Sequence, residues 1–233
     1  MELLIKDLHK NYGSLEVIAG LNIALPSGRI HCVFGPSGCG KTTLMNILTG
    51  LIQPDKGEIQ GFSNKTFSYI FQEDRLLPWC TVEENLLFVL ENRYERSEAV
   101  KRVDKYLSLV DLERFRKSYP EELSGGMRQR VTIARAFAYG GDIFAMDEPF
   151  KGLHLELKKT LMDYIIHYWY DKKPFFIFIT HDIDEALYLA DDIYVFQGPP
   201  LNLEKQITID IPHIRRECRK EQMNHYKALL MKK

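Results

Sequence analysis

The residues Gly35-Pro36-Ser37-Gly38-Cys39-Gly40-Lys41-Thr42 carry the spacing G-x-x-x-x-G-K-T. Placed between a β-rich run, Arg29 to Phe34, and a helical pattern from Lys41 to Leu51, they form a cradle for a chain of phosphates. The glycines let the backbone wrap with its N–H groups turned inward, and the following helix adds the positive end of its dipole. Lys41 is placed to neutralise the β- and γ-phosphates, Thr42 to offer its hydroxyl to Mg²⁺ and Thr43 to reach the α-phosphate. Because Cys39 sits inside the loop, alkylation of its thiol is expected to inhibit, and bound nucleotide to protect.

Such a cradle needs an acidic partner at the end of a buried strand, and Ile143-Phe144-Ala145-Met146-Asp147-Glu148 supplies one. Asp147 can hold Mg²⁺ through its water shell, while Glu148 can orient and polarise an attacking water. A second glycine-bearing turn lies in Leu123-Ser124-Gly125-Gly126-Met127-Arg128-Gln129-Arg130. Ser124 and the backbone of Gly125 and Gly126 make a further anion-binding nest at a helix start, where a side chain at either glycine would obstruct close approach. A single chain has no need of two nests.

Leu123 to Arg130 resembles the signature motif of the ATP-binding cassette (ABC) ATPases, and the resemblance spans approximately residues 1–212. It implies an α/β fold: a P-loop NTPase (RecA-like) core with a parallel sheet, an N-terminal antiparallel β subdomain and an inserted α-helical subdomain. It implies ATP and Mg²⁺ as ligands, with two ATP molecules sandwiched in a head-to-tail homodimer. Ser124, Gly125 and Gly126 would then close over the γ-phosphate held by the opposite subunit. Gln72, after a strand over Thr66 to Phe71, resembles the Q-loop glutamine that contacts Mg²⁺ and the attacking water. Tyr12, in Asn11-Tyr12-Gly13, resembles the A-loop aromatic that stacks on adenine. His181, in Phe178-Ile179-Thr180-His181-Asp182, resembles the switch histidine that touches the γ-phosphate. The implied catalytic set is Glu148, His181, Gln72 and Lys41, and the implied Mg²⁺ set is Thr42, Gln72 and Asp147. One position departs from the family: His154 stands where the D-loop usually carries an aspartate, and Lys151 just before it adds a second positive charge. The expectation is a sandwich with altered coupling between its two ATP sites.

The hydropathy pattern supplies elements to hold these residues. Runs at Leu3 to Leu8, Val17 to Leu25 and Arg29 to Phe34, then Glu58 to Gln60 and Thr66 to Phe71, predict a β-rich beginning. From Thr81 to about Phe137 the pattern is helical, with Val100, Val103, Leu107 and Val110 on one helix face. Strands at Ile143 to Met146, Phe175 to Ile179 and Ile193 to Phe196 then alternate with helices at Leu155 to Trp169 and Ile183 to Ala190. That alternation predicts a parallel sheet with helices on it. With no Gly/Ser/Pro linker between regions, residues about 76–137 read as a helical subdomain inserted in an ATPase domain over 1–212. A basic helical tail follows over 213–233, its seven Lys/Arg against two Asp/Glu reading as a solvated helix or, less simply, as a docking or phospholipid-facing surface.

Composition bounds the function. The 233 residues hold 31 Lys+Arg against 32 Asp+Glu, a formal charge of −1, which offers no nucleic-acid footprint. No stretch approaches the roughly 18 apolar residues of a membrane span, and no leader pattern opens the chain, so cytoplasmic residence is expected. Cys32, Cys39, Cys80 and Cys218 are scattered without a CxxC pair, and neither they nor the histidines have zinc spacing, so disulfides and a structural metal are not expected. Arg75-Leu76-Leu77-Pro78-Trp79-Cys80-Thr81-Val82-Glu83-Glu84-Asn85, with Ile209-Asp210-Ile211-Pro212, resembles the ATPase subunits of nitrate, sulfonate, taurine and pyrimidine-precursor importers. That resemblance implies two integral-membrane permease subunits, an extracytoplasmic solute-binding protein, no nucleic acid, and a place on the cytoplasmic face of the membrane. A soluble ABC ATPase of DNA repair or translation, and an exporter subunit, are the competing readings. A non-ABC P-loop kinase or GTPase leaves Leu123 to Arg130 without a purpose.

Overall fold

The computed structural model describes residues 2–231; Met1, Lys232 and Lys233, which fall within the expected domain and tail, lie outside the described residues. The chain divides into two units, Met1–Lys65 with Tyr168–Lys233, and Thr66–His167.

The first unit holds two sheets. In one, β1 (Glu2–Tyr12) lies between β2 (Leu15–Pro26) and β4 (Lys56–Gln60), antiparallel to both. Leu3, Ile5 and Leu8 of β1 are buried, and the register shifts between Ile5 and Leu8, where Asp7 takes a φ of 46°. The shift is a bulge that turns the strand without turning its apolar face outward. In the other sheet β3 (Ile30–Phe34) runs parallel between β7 (Phe175–Thr180) and β8 (Asp192–Gln197). All six residues of β7 are buried, so its sequence, Phe-Phe-Ile-Phe-Ile-Thr, shows no alternation. Each large apolar side chain so placed contributes about 1.5–3 kcal/mol.

β9 (Asn202–Thr208) is the strand that the sequence pattern does not predict, and it pairs antiparallel with β8. Only Gly198 to Leu201 separate the two, too few for a crossover helix, so the chain has to return antiparallel. As an edge strand it exposes every second residue, which hides it among polar sequence. Helix α1 (Lys41–Leu48) ends before the expected Leu51 because Gly50, at a φ of 76°, closes it.

The tail departs from the expectation of a solvated helix. It forms α7 (His213–Arg216) and α8 (Lys220–Met231), and His213, Arg216 and Leu230 are buried. The Arg216 guanidinium donates to the carbonyls of Leu187 and Tyr188 at 3.0 Å, capping the last turn of α6 (Ile183–Leu189). The same group reaches the Asp191 carboxylate at 3.3 Å, and Lys227 of α8 pairs with Asp184 of α6 at 2.7 Å.

The second unit pairs β5 (Phe67–Ile70) parallel with β6 (Ile143–Asp147) and adds α2 (Val82–Leu90), α3 (Arg96–Leu109) and α4 (Gly125–Tyr139). α5 (Leu155–Lys172) begins here and ends in the first unit. Val103, Leu107 and Val110 are buried as their spacing predicts, Val100 only partly. Phe137 of α4 meets Phe144 of β6 with ring centroids 4.9 Å apart. Thr81 and Glu84 form a reciprocal capping box at the start of α2, a device worth about 1 kcal/mol.

Candidate nucleotide site

In the first unit the glycine loop leaves the carboxyl end of β3, and the segment at His181 leaves that of β7. Phe34 is in register with Thr180, so the two segments depart from adjacent parallel strands at the same end. Gly38 and Gly40 have φ values of 80° and 112°, which aim successive amides into the loop. Val17 of β2 lies 3.0 Å from where a Gly40 side chain would begin, so the β1–β2 hairpin presses on the loop directly. Lys41 is buried, and its ammonium donates to the carbonyls of Gly35 at 2.9 Å and Pro36 at 2.6 Å. A buried ammonium inside a ring of amides at a helix start is a donor set that fits a polyphosphate. Pro36, Ser37, Gly38 and Thr42 are exposed, and Thr43 is half-buried.

Tyr12 is 47% exposed at the end of β1, with the Lys10 ammonium over its ring, 5.8 Å from the centroid. Lys10 and Asp55 hold that end: they pair at 2.8 Å, and the Asn11 amide donates to Asp55 at 2.6 Å. The Lys10 hydrogen bond keeps the Asp55 carboxyl below the usual carboxylate range. His181 is exposed beside a tight turn, in which the Asp182 amide donates to the Thr180 hydroxyl at 3.0 Å and the Asp182 carboxylate caps α6.

Cys39 lies deeper than its place in an exposed loop suggests. It is fully buried, with the Lys41 ammonium 3.9 Å from its sulfur, whereas Cys80 is part-exposed and Cys218 exposed. Cys218 and Cys80 are therefore more accessible to a thiol reagent than Cys39.

In the second unit Gln72 follows β5 on an exposed turn. Side-chain ties that the sequence did not foretell join this turn to the signature helix. Asp74 pairs with Arg128 at 2.7 Å, and Arg135 donates to the carbonyls of Arg75 and Asp74 at 3.0 and 3.3 Å. Burial lowers the Arg135 guanidinium from its ordinary value while Asp74 raises it.

Ser124 caps α4, its hydroxyl accepting from the Met127 amide at 3.3 Å. A side chain on Gly126 would begin 2.9 Å from the carbonyl oxygen of Gly152, and Gln129 donates to the carbonyl of Pro149 at 2.8 Å. The second nest and the turn after Glu148 are therefore in contact. Asp147 is buried at the end of β6; burial of the Tyr69 phenol, and next the Asp147 charge beside it, hold that phenol above its ordinary range. Glu148 is half-buried with a φ of 47°, and the Lys151 ammonium stands 3.8 Å from its carboxylate. His154 accepts from the Leu157 amide at 3.4 Å through Nδ1, serving as the cap of α5. Of the expected Mg²⁺ ligands, Thr42 belongs to the first unit, and Gln72 and Asp147 to the second.

The ABC transporter family profile matches residues 18–151. The aliphatic sulfonates import ATP-binding protein SsuB of Bacillus cereus is 39% identical over 218 residues, covering 90% of this chain and 85% of that one. A putative ATP-binding protein of Brucella abortus is 40% identical over 217 residues, 89% of this chain and 82% of its own. Among solved structures, the dimeric structure of a bacterial ABC transporter cassette superposes with a TM-score of 0.81 at 26% identity, over 90% of this chain and 100% of that one. The dimeric post-hydrolysis state bound to ADP and Pi gives 0.80 at 26% identity, with the same coverage.

Proposed function

The chain belongs to the ABC transporter family and is an ATPase with that family's fold; from this premise we propose that it energises import of a small solute, an aliphatic sulfonate being the first to test. Nitrate, taurine and pyrimidine precursors are the neighbouring cases. Two copies close head to tail on two ATP molecules, at the cytoplasmic face of two integral-membrane permease subunits, and an extracytoplasmic solute-binding protein completes the complex. The observation that carries the import reading is the 39% identity over 218 residues to an aliphatic sulfonates import ATP-binding protein.

ATP supplies the phosphoryl group, and Mg²⁺ neutralises charge on the phosphates. Lys41 and the amides of residues 35–43 hold the phosphate chain, and Tyr12 takes the adenine. Thr42, Gln72 and Asp147 serve the Mg²⁺. Glu148 orients and polarises the attacking water, and His181 attends the γ-phosphate. Ser124, Gly125 and Gly126 act on the nucleotide of the partner copy. The ties from Asp74 and Arg75 to Arg128 and Arg135 support a connected path from Gln72 to the signature helix. Trp79 and Phe88, 72% and 60% exposed, offer apolar anchors for a segment of the membrane subunit. Closure and reopening then move the permease by population shift.

The test is purification of tagged Glu148→Gln protein from its native cell in mild detergent with MgATP, followed by mass spectrometry. A multi-span membrane subunit, with or without a solute-binding protein, supports the importer. Soluble or nucleic-acid-associated partners alone would leave the ATPase and reject the transporter.

A further inference from the structure

We propose that the cleft between the Asp210–Arg215 segment and α8 is a binding site for a small molecule with a tetrahedral oxyanion head: sulfate, sulfonate or phosphate. The cleft measures about 430 Å³, the scale of a small-molecule site. Gln222, His225 and Tyr226 line it from α8, three and four residues apart and so on one helix face. Arg219 and Arg215 line it as well, against a single carboxylate, Asp210. Two guanidinium groups facing one carboxylate leave a surplus positive charge.

The two arginines differ from Arg216 and Lys227 in what they bond. Arg216 is spent on the α6 carbonyls and Asp191, and Lys227 on Asp184. Among the described residues the Arg219 guanidinium donates only to the neutral amide oxygen of Gln222, at 3.0 Å, and no acceptor meets the Arg215 guanidinium. Planar guanidinium forks with unused donors, flanked by an amide, an imidazole and a phenol, match an oxyanion by geometry as well as charge. No residue of the phosphate loop lines the cleft. A ligand bridging Arg215 to Arg219 would strap α8 to the segment before it, and α8 already rests on α6, whose cap Asp182 adjoins His181.

The experiment is titration calorimetry of the full chain with sodium sulfate and with sodium ethanesulfonate at matched ionic strength. Three proteins are compared: wild type, the Arg215→Ala/Arg219→Ala double variant and Lys41→Ala. Both arginines are exposed, so the double variant keeps its fold, and a circular-dichroism melt verifies this. The expected result is one site per chain in wild type and Lys41→Ala, weakened at least tenfold in the double variant. Binding lost in Lys41→Ala but kept in the double variant would put the anion in the phosphate loop and overturn the proposal. Equal binding in all three, or none in wild type, would overturn it too. So would sedimentation with phosphatidylglycerol vesicles that needs the two arginines while neither anion binds, since the pair would then serve a membrane surface.

Discussion

The two units build their shares of the nucleotide chemistry from different materials. In the first, the loop over 35–43 is made of backbone: amides, glycine torsions and one lysine, carried on β3, which is almost wholly buried. In the second, Gln72, the signature turn and Glu148 are joined by side chains that cross between elements: Asp74 to Arg128, Arg135 to the Asp74 and Arg75 carbonyls, Gln129 to Pro149. A backbone cradle on buried strands is a rigid receptor, whereas a web of polar side chains can be remade as occupancy changes. The comparison assigns holding to the first unit and response to the second.

The sharpest way to break that assignment is to remove one charge from each unit. Glu148→Gln should lower steady-state ATP hydrolysis by about 10²–10⁴-fold while a fluorescent ATP analogue still binds. Lys41→Ala should lose the binding itself. Undiminished turnover in Glu148→Gln would reject Glu148 as the principal water-orienting group.

The contact between the second nest and the turn after Glu148 gives the next effect. In Gly126→Val the new side chain meets the Gly152 carbonyl, where even a Cβ would lie at 2.9 Å. Such overpacking costs about 1–3 kcal/mol. Thermal unfolding should fall accordingly, with nucleotide affinity of the first unit unchanged; an unaltered melt would mean that the two turns do not bear on each other.

Protonation separates the units by pH. Burial holds His31 and His213, both in the first unit, below the ordinary imidazole value. Each ring donates through Nε2 to a backbone carbonyl at 2.8 Å, His31 to Pro26 and His213 to Leu189. Above the unfolded value of 6.5 both states are neutral and pH has no leverage. As pH falls below it the unfolded chain takes up protons first, so stability drops until the folded pKa values are passed, by at most about 1.4 kcal/mol per histidine per pH unit. Urea midpoints measured from pH 7 to 5 should decline, and His213→Gln should flatten the decline. A parallel decline in that variant would exclude His213.

The smallest effect tests the wiring. A double-mutant cycle on Asp74→Ala and Arg128→Ala should give a coupling of about 0.5–1 kcal/mol, since both side chains are one-third exposed. Zero coupling would reduce the pair to a surface contact.

What was legible in the sequence follows the same division. The phosphate loop and the strands β3, β6 and β7 declare themselves because backbone chemistry demands glycine at fixed spacing and two-sided burial demands unbroken apolar runs. Asp74, Arg128 and Arg135 were silent because a polar pair formed across 54 residues has no local pattern. β9 was hidden by its exposed edge, and the burial of Arg216 by a tail whose composition reads as solvent-facing. Likewise, Cys39 was legible as a member of the loop, while its complete burial was not.

In the proposed sandwich, the signature turn of one copy completes the nucleotide site of another. The most direct test of this is size-exclusion chromatography with light scattering on Glu148→Gln, with and without MgATP. A monomer is expected to become a dimer when MgATP is added, and to return to monomer when Ser124→Ala/Gly126→Val is introduced into the same chain. A Glu148→Gln protein that binds MgATP and stays monomeric at every concentration tested would contradict it.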